Sequence, residues 1–462
     1  MRRTLASFAA VTDTRLPSSR TALRAAFTLL LVLSPAPASR AVEPQGCGNA
    51  PFAIDAHYPG GNIILERIDG DTAFIKPDLR DTQGWWFYWN FRVSGAAGRT
   101  ITFKFTDGNP IGVRGPALST DAGKTWAWLG TATVKDASFK YTVAKDAREV
   151  RFCLAMPYQQ SNLDDFLTKH THPNLKVTQL CKTRKGRPVE RIHAGKIDGE
   201  PRYRVLVTAR HHACEMMASY SLEGLLEAVL ADDPEGLWLR NNVEILAVPF
   251  MDKDGVEDGD QGKNRRPHDH NRDYIGDSIY PSVAALRAFV PKWSDGKPLV
   301  TLDLHCPYIR GQYNEVIYIV GNSDPDIYAQ QFRFGKILEN VASGPLPYDN
   351  DDILPFGKAW NTKANYGSGK SCSRWAAELD DVKLATSFEI PYANVGSRTV
   401  TAETARAFGR DLAAALFTYL TQLEAPKAAT VRSNLAPIRK GSADSGSFQS
   451  NYSRKTERGI TG

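Results

Sequence analysis

The chain has 462 residues, of which 42% are hydrophobic and 23% are charged, and these values exclude fibrous, collagenous and wholly disordered proteins. At about 100–200 residues per domain, this length predicts two or three domains. The formal net charge of +6 comes from 57 basic and 51 acidic residues, a balance that argues against nucleic-acid binding and does not oppose an acidic substrate.

The N-terminal region contains an apolar run over residues 25–33, which follows Arg20 and Arg24 and precedes small residues at 36–41. A bilayer span needs about 20 apolar residues, so this run is too short to cross a membrane. We interpret residues 1–41 as a cleaved secretory signal, with an N-terminal helix as the alternative. The mature protein is predicted to be secreted or periplasmic, without an integral membrane segment.

Six cysteines follow, and export would expose them to oxidising conditions that allow disulfides. Spacing does not fix their pairing. A bridge from Cys47 to Cys153 or Cys181 would close the first domain, and the alternative is buried free thiols. A mass measured without reductant that shows six free thiols would exclude the bridge.

Apolar and polar residues alternate from about residue 52 to residue 154. The alternation is clearest in runs 101–105, 139–143 and 150–154. These runs are separated by clusters rich in Gly, Asn and Asp. This pattern predicts an all-β antiparallel sandwich, which we place within residues 47–182.

The same region contains the aromatic run Trp85-Trp86-Phe87-Tyr88-Trp89. Such a run can form a platform that binds sugars, but alternate members of an aromatic strand more often face a core. We therefore favour packing over ligand binding for these rings.

After Cys181, strands alternate with helices. The predicted strands are 203–208, 243–248, 299–304, 316–320 and 384–390, and the predicted helices lie around 222–230, 282–289, 327–341 and 401–423. The alternation predicts an α/β domain over residues 183–423, in which chemistry gathers at the carboxyl ends of the strands. The polar residues 424–462 are predicted to form a flexible tail.

A candidate metal site follows the first of these strands. His212 and Glu215 lie three positions apart at a strand-to-helix turn, and His305 follows the strand 299–304. Zn²⁺ prefers nitrogen, oxygen and sulfur ligands, and a catalytic site uses three protein ligands and leaves one position open. His211 is a competing first ligand. Cys214 and Cys306 adjoin the proposed ligands and could themselves bind metal, but we favour a structural role for both thiols.

These residues resemble those of zinc metallocarboxypeptidases, and most closely those of the cytosolic carboxypeptidase-like branch, whose members carry a β-sandwich before the catalytic domain. The resemblance covers residues 83–423, with motifs at 86–93, 156–167 and 254–272. It implies a carboxypeptidase-like catalytic domain with a mixed sheet flanked by helices, one Zn²⁺ per chain, and a peptide or protein C-terminus as partner.

The resemblance also implies roles for single residues. His212, Glu215 and His305 correspond to the metal ligands. Asn271 and Arg272 correspond to the pair that holds the substrate's terminal carboxylate, which a planar guanidinium matches well. The remaining implied roles are a second carboxylate that orients a metal-bound histidine (Asp269), a residue that stabilises the oxyanion (Arg265, with Arg266 as the alternative), a general base (Glu389) and a mobile tyrosine (Tyr366).

Ordinary structural roles remain open for several of these residues. The basic stretch around Arg265 also fits a solvated loop, and Glu389 also fits a buried ion pair. Related enzymes often prefer acidic terminal residues, and Lys370 or Arg374 is predicted to supply the matching charge. The family often has a cis peptide after its last ligand, which predicts a cis bond between Cys306 and Pro307.

The resulting expectation is a zinc-dependent enzyme that hydrolyses a C-terminal peptide or isopeptide bond. Two alternatives remain. A zinc deacylase or amidase of the aspartoacylase type would share His212, Glu215 and His305, and a catalytically silent binding protein would keep the sandwich for protein or glycan contact.

Overall fold

The computed structural model describes residues 52–424, apart from Gln312 and Ser368. The predicted signal segment, Cys47 and nearly all of the predicted tail lie outside the described residues. The five described cysteines have free thiols. Within the described part of the chain, no helix is both long enough and apolar enough to cross a membrane.

The N-terminal part is built from two five-stranded sheets with the orders β1-β4-β10-β6-β7 and β2-β3-β5-β9-β8. Their strands are β1 (Ala53–Asp55), β2 (Ile64–Asp69), β3 (Thr72–Lys76), β4 (Asn90–Ser94), β5 (Thr100–Phe105), β6 (Ala117–Ser119), β7 (Ala127–Trp128), β8 (Val134–Lys135), β9 (Ser138–Thr142) and β10 (Glu149–Cys153). The alternating pattern of strands such as β5 and β10 places one face of each against the other sheet. Phe152 of β10, for example, lies 5.0 Å from Phe103 of β5 and 5.2 Å from Phe139 of β9 between ring centroids.

One strand pair departs from the antiparallel arrangement predicted for this region. β3 and β5 are parallel, while the other pairs in the two sheets are antiparallel. The reason is the path of the chain, which leaves this sheet to form β4 in the other sheet and then returns. Parallel neighbours need such a crossover, whereas a hairpin would have made them antiparallel.

The second part contains a seven-stranded mixed sheet with the order β11-β12-β14-β13-β15-β17-β16 and a small hairpin of β18 and β19. Its strands are β11 (Leu175–Lys182), β12 (Pro188–Gly195), β13 (Tyr203–Ala209), β14 (Val243–Val248), β15 (Leu299–His305), β16 (Tyr318–Ile319), β17 (Val382–Glu389), β18 (Asn394–Val395) and β19 (Arg398–Thr399). The helices of the chain are α1 (Gln160–Lys169), α2 (Met217–Leu230), α3 (Pro234–Asn242), α4 (Lys253–Asp258), α5 (Pro281–Ser294), α6 (Pro325–Val341), α7 (Lys363–Tyr366), α8 (Cys372–Ala376) and α9 (Ala402–Glu424), with short 3₁₀ turns at His270–Arg272 and Asn350–Asp352.

The central strands are buried on both faces, which explains their continuous apolar sequences. Val205 and Val207 of β13 pack in the cluster that contains α2, α6 and α9, whereas Leu206 packs in the cluster that contains α5 and α8. Helices therefore cover both faces of the sheet. The parallel neighbours β14, β13, β15 and β17 bring their carboxyl ends to one edge.

The seven-stranded sheet begins before the boundary predicted at residues 182 and 183. β11 ends at Lys182 but pairs with β12 along its length, from Leu175 opposite Ala194 to Lys182 opposite Pro188. β11 is an edge strand with half-exposed residues, so its sequence pattern resembles that of the preceding β-region. Periodicity alone could not assign it to the second sheet.

Candidate metal centre and active-site cavity

Three parallel strands deliver the candidate residues to one edge of the sheet. His305 is the last residue of β15 and is paired in register with Glu389, the last residue of β17. His212 lies three residues beyond the end of β13, in a turn where Arg210 has a positive φ of 60°. The Arg210 side chain holds this turn by donating to the carbonyl oxygens of Ala213, at 3.0 Å, and Tyr158, at 2.9 Å.

His212, Glu215 and His305 form a compact donor group with one ligand atom of each within 4.8 Å of the others. Nδ1 of His212 lies 2.9 Å from Oε1 of Glu215, and Nδ1 of His305 lies 2.7 Å from Oε2 of Glu215. The two Nδ1 atoms are 3.2 Å apart. Ligands about 2.0–2.2 Å from one tetrahedral ion lie at roughly this separation from each other, and two nitrogens with one carboxylate suit Zn²⁺. The residues present therefore fit a zinc ion.

His211, the competing first ligand, points to a different group of residues. Its Nδ1 atom lies 2.8 Å from Asp303, and its Nε2 atom lies 2.7 Å from the hydroxyl of Tyr274. Cys214 and Cys306 are buried outside the donor group of His212, Glu215 and His305.

Two carboxylates support the histidines from behind. Asp303 Oδ2 lies 2.8 Å from His305 Nε2, and the predicted Asp269 Oδ1 lies 3.7 Å from His212 Nε2. Burial raises the pKa of Asp303, but the adjacent His211 and His305 lower it by a larger amount. The pKa of Asp303 therefore lies well below its usual range. Asp303 was not predicted from the sequence, although residues two apart on a strand share a face and Asp303 precedes His305 at that spacing.

Glu389 is buried at the cavity wall, and its Oε2 atom has no hydrogen-bond partner. Burial is the largest cause that raises the pKa of Glu389 to about 7, with an opposing effect from His305. A carboxyl group with a pKa near the working pH and a free oxygen is suited to accept a proton. The lack of any hydrogen-bond partner for Oε2 among the described residues argues against the alternative of a buried ion pair.

Lys263 brings a positive charge to the same site and was missed by the sequence analysis. Its Nζ atom lies 3.2 Å from Glu215 Oε1 and 5.7 Å from the ring centroid of Trp86. Burial lowers the pKa of Lys263, but Glu215 and Glu389 raise it above its usual value, so the amine stays charged. Lys263 lies in the same basic stretch as Arg265, but no motif spacing distinguished it from the other basic residues there.

Arg265, predicted to stabilise an oxyanion, is instead held by three carboxylates. Its guanidinium lies 3.0 Å from Asp81, 2.6 Å from Asp252 and 2.6 Å from Asp260, and the side chain is only 6% exposed. Neither Arg265 nor the exposed alternative Arg266 lines the cavity that contains the metal-ligand group. Three carboxylates thus engage the donors of Arg265, and the structure does not bring the predicted Arg265 to the metal-ligand group.

Contacts with the β-sandwich hold the loop that carries Lys263. Gln261 accepts a hydrogen bond from the backbone N–H of Tyr88 at 2.7 Å and donates one to the Tyr88 carbonyl at 2.8 Å. Thr82 donates its hydroxyl proton to the carbonyl of Lys263 at 2.9 Å. The N-terminal sheets thus fix the backbone on both sides of the cationic side chain.

Arg272 lines the cavity beside the donor group, as does Asn271. The Arg272 guanidinium donates to the carbonyls of Asn271, at 2.9 Å, and Asn365, and it lies 4.9 Å from the ring centroid of Tyr366. The Asn271 side chain accepts a hydrogen bond from the backbone N–H of Cys372 at 2.9 Å. Tyr366 is buried against the cavity, and its hydroxyl donates to Asn361 at 3.0 Å.

Lys370 and Arg374, predicted to line the pocket for the terminal side chain, do not line the cavity. Lys370 pairs with Glu378, with its Nζ atom 2.6 Å from a carboxylate oxygen. The Arg374 guanidinium stacks 4.0 Å from the Tyr366 ring centroid and donates to Ser323 at 3.1 Å. The structure therefore does not bring either cation into the cavity lining: Lys370 is paired with Glu378, and Arg374 stacks on the cavity-lining Tyr366.

The cavity has a volume of about 310 Å³ and takes part of its wall from the β-sandwich. Besides the candidate residues, the described lining is mainly aromatic and hydroxyl-bearing and includes Trp86, Tyr308, Tyr318, Trp360, Ser371, Ser373 and Ser387. Of the aromatic run 85–89, Phe87 and Trp89 are fully buried, so core packing explains them, while the partly buried Trp86 faces the cavity.

The predicted cis bond between Cys306 and Pro307 is absent. Within the described residues, the cis peptide lies between Arg266 and Pro267. Cis and trans forms before proline differ by only about 0.5–1 kcal/mol. The resemblance therefore could not decide the isomer at this position.

The fold and the donor set together define a mixed α/β domain with two histidines and one glutamate that could hold a metal ion. Residues 164–304 match the family model for zinc carboxypeptidases. This match agrees with the predicted resemblance to zinc metallocarboxypeptidases.

The relatives agree with this assignment. Cytosolic carboxypeptidase 6 of Caenorhabditis elegans is 24% identical over 56% of this chain and 63% of its own length. Cytosolic carboxypeptidase 3 of Mus musculus is 26% identical over 64% of this chain and 33% of its own length. The chain thus spans less than two thirds of these curated relatives. A crystal structure of a metallo-carboxypeptidase from Burkholderia cenocepacia has a TM-score of 0.67, 20% identity, and coverage of 81% of this chain and 100% of its own, which shows the shared fold.

Proposed function

We propose that the protein is a zinc-dependent metallocarboxypeptidase that hydrolyses the C-terminal peptide or isopeptide bond of its substrate. One observation carries this proposal: His212 and His305 of the donor group, Glu389 with its unpartnered Oε2 atom, and Arg272 line a single cavity, and the buried Glu215 contacts both histidines. Hydrolysis of a chain end needs a metal site, a base and an anchor for the end, and these residues can supply all three.

The three ligands would hold one zinc ion. When bound there, zinc would polarise the scissile carbonyl and lower the pKa of a water molecule toward about 7. Glu389 accepts a proton from the attacking water and passes it to the leaving amine. The charged amine of Lys263, beside Glu215, stabilises the negative charge that develops on the carbonyl oxygen.

Arg272 and Asn271 hold the terminal carboxylate of the substrate. The guanidinium now donates to backbone carbonyls, and a carboxylate would give it a stronger, charge-assisted partner. An internal peptide bond offers no such anion, so this anchor makes the enzyme an exopeptidase. Tyr366 packs beside Arg272, where it would close the cavity around the bound end.

The first test compares a peptide with its C-terminal amide. We expect the free acid to be cleaved about 10–100-fold faster, because the amide loses a charged hydrogen bond of about 1.5–3 kcal/mol. The measurement is kcat/KM for both peptides with the zinc-loaded enzyme. Equal rates would exclude the carboxylate anchor. Hydrolysis of N-acyl amino acids without any peptide cleavage would favour the deacylase alternative, and no hydrolysis of either would favour the binding-protein alternative.

The predicted preference for acidic terminal residues now lacks its structural basis. Apart from histidines, the described cavity lining has two cations, Lys263 and Arg272, and both already have roles at the peptide backbone. We therefore expect a peptide ending in Gln to be cleaved at least as fast as the same peptide ending in Glu. These side chains are nearly identical in shape, so the ratio of the two kcat/KM values isolates charge. A strong preference for Glu would restore the original prediction.

We also propose that the protein is exported, on the basis of the apolar run at residues 25–33 and the arginines that precede it. Sequencing the N-terminus of the protein purified from its native source is expected to show that this run has been removed. An intact Met1 in that protein would exclude cleavage of a signal. If export holds, extracellular or periplasmic peptides become the accessible substrates.

A further inference from the structure

A buried chain of close polar contacts runs behind the metal-ligand group and includes a histidine that the mechanism does not use. The Tyr274 hydroxyl lies 2.7 Å from Nε2 of His211, and Nδ1 of His211 lies 2.8 Å from Oδ1 of Asp303. Oδ2 of Asp303 lies 2.8 Å from Nε2 of His305. All four residues are at most 2% exposed.

Asp303 is held on both of its oxygens. Oδ1 accepts a hydrogen bond from the hydroxyl of Thr208 at 2.8 Å in addition to its contact with His211, and Oδ2 faces His305. Thr208 and Asp303 are paired in register on the parallel strands β13 and β15, so this contact follows from the sheet itself. His211, in contrast, lies beyond the end of β13, where the positive φ of Arg210 turns the chain.

The carboxylate in turn determines how His305 presents its ring. When Nε2 carries the hydrogen and donates a hydrogen bond to Asp303, the lone pair lies on Nδ1, and Nδ1 is the atom that faces His212 and Glu215. Groups behind a metal ligand fix its tautomer and its ring orientation, and their loss typically weakens metal binding about 10–100-fold. Without His211, Oδ1 of Asp303 would keep only the Thr208 hydroxyl as its partner, and the carboxylate would hold His305 less firmly.

We propose that His211 is a positioning residue of the metal centre, which holds the Asp303 carboxylate in the orientation that directs Nδ1 of His305 toward the ion. Tyr274 completes the chain by fixing the His211 ring through its other nitrogen. This inference rests on the metal-binding part of the proposed function and not on the identity of the substrate.

The test measures zinc affinity by competition with a chelator in the full-length chain, for His211→Gln and for Tyr274→Phe. His193→Gln is the matched control, because His193 also contacts a carboxylate, Glu244, at 2.7 Å but lies on β12, away from the cavity. We expect His211→Gln to weaken zinc binding about 10–100-fold, Tyr274→Phe to weaken it less, and the control to leave it unchanged. The visible spectrum of the cobalt-substituted protein should change in the His211 variant alone or most strongly.

Three outcomes would overturn the proposal. The first is that the His211 variant keeps the zinc affinity and the cobalt spectrum of the wild type. If the His211 variant does not fold, the same result in Tyr274→Phe would count instead. The second is an equal loss in the His193 control, which would indicate general destabilisation. The third is a second zinc ion per chain that is lost in Cys372→Ser. His211, Asp303 and Cys372 have ligand atoms within 4.8 Å of one another. His211 would in that case be a metal ligand itself and not a positioning residue. A wild-type protein that binds zinc but cleaves no peptide would contradict the proposed function, while these measurements would still decide the role of His211.

Discussion

Replacing Glu389 with glutamine is expected to lower kcat by about 10²–10⁴-fold while the protein keeps its zinc. The amide has nearly the same shape as the carboxylate, but it cannot accept the proton of the attacking water. The measurements are kcat on a free-acid peptide and the zinc content of the purified variant. Glu378→Gln is the matched control, because Glu378 is an exposed carboxylate paired with Lys370 outside the cavity. Full activity of the Glu389 variant would contradict its role as the base.

The pH dependence provides a second measure of the same residue. Burial raises the pKa of Glu389 to about 7, and a cation bound beside it would favour the charged form. The base works when deprotonated, so the acid limb of the pH profile of kcat/KM should have a pKa of about 7 or lower. Below that pKa, kcat/KM should fall tenfold per pH unit. This limb should be missing from the residual activity of Glu389→Gln. A limb that persists unchanged in the variant would assign it to another group.

Replacing Lys263 with methionine is expected to lower kcat/KM by about 10²–10³-fold, which is the usual effect of removing one donor to an oxyanion. Lys263→Arg should recover part of the activity because it keeps the charge. A phosphinic peptide that mimics the tetrahedral state should lose affinity for Lys263→Met by a similar factor. Unchanged affinity for this mimic would show that Lys263 only neutralises Glu215.

Arg265→Met distinguishes the two candidate cations. The guanidinium is buried among Asp81, Asp252 and Asp260, and removing one partner of a buried ion-pair cluster costs about 3–5 kcal/mol. Denaturant unfolding should therefore show a less stable protein, while the folded fraction binds the phosphinic mimic as the wild type does. A stable variant that has lost affinity for the mimic would return the oxyanion role to Arg265.

The principal ligands could be predicted because local spacing and strand ends carry the information. His212 and Glu215 share one turn, and His305 and Glu389 follow apolar runs whose carboxyl ends must meet in a parallel sheet. Lys263 and Arg265 could not be distinguished in this way. Both lie in one irregular loop of basic residues, and what separates them is the position of Asp81, Asp252 and Asp260, which the chain brings together only on folding.

The fold shows the same division. The alternation of apolar residues predicts strands such as β5 and β10, and the buried run at 243–248 predicts β14. The sheet to which an edge strand belongs depends on its neighbour, so β11 could not be assigned to the seven-stranded sheet from its own residues. Asp303 is an intermediate case, since strand period two places it beside His305 but does not show that its other oxygen contacts His211.

The hydrogen bonds that Tyr88 and Thr82 make with the loop around Lys263 tie the N-terminal sheets to the wall of the candidate site. Truncating the chain to its second half would remove these contacts and would remove Trp86 from the cavity wall. Under the proposed function, an attempt to graft a new specificity onto this protein should therefore transplant both halves as one unit.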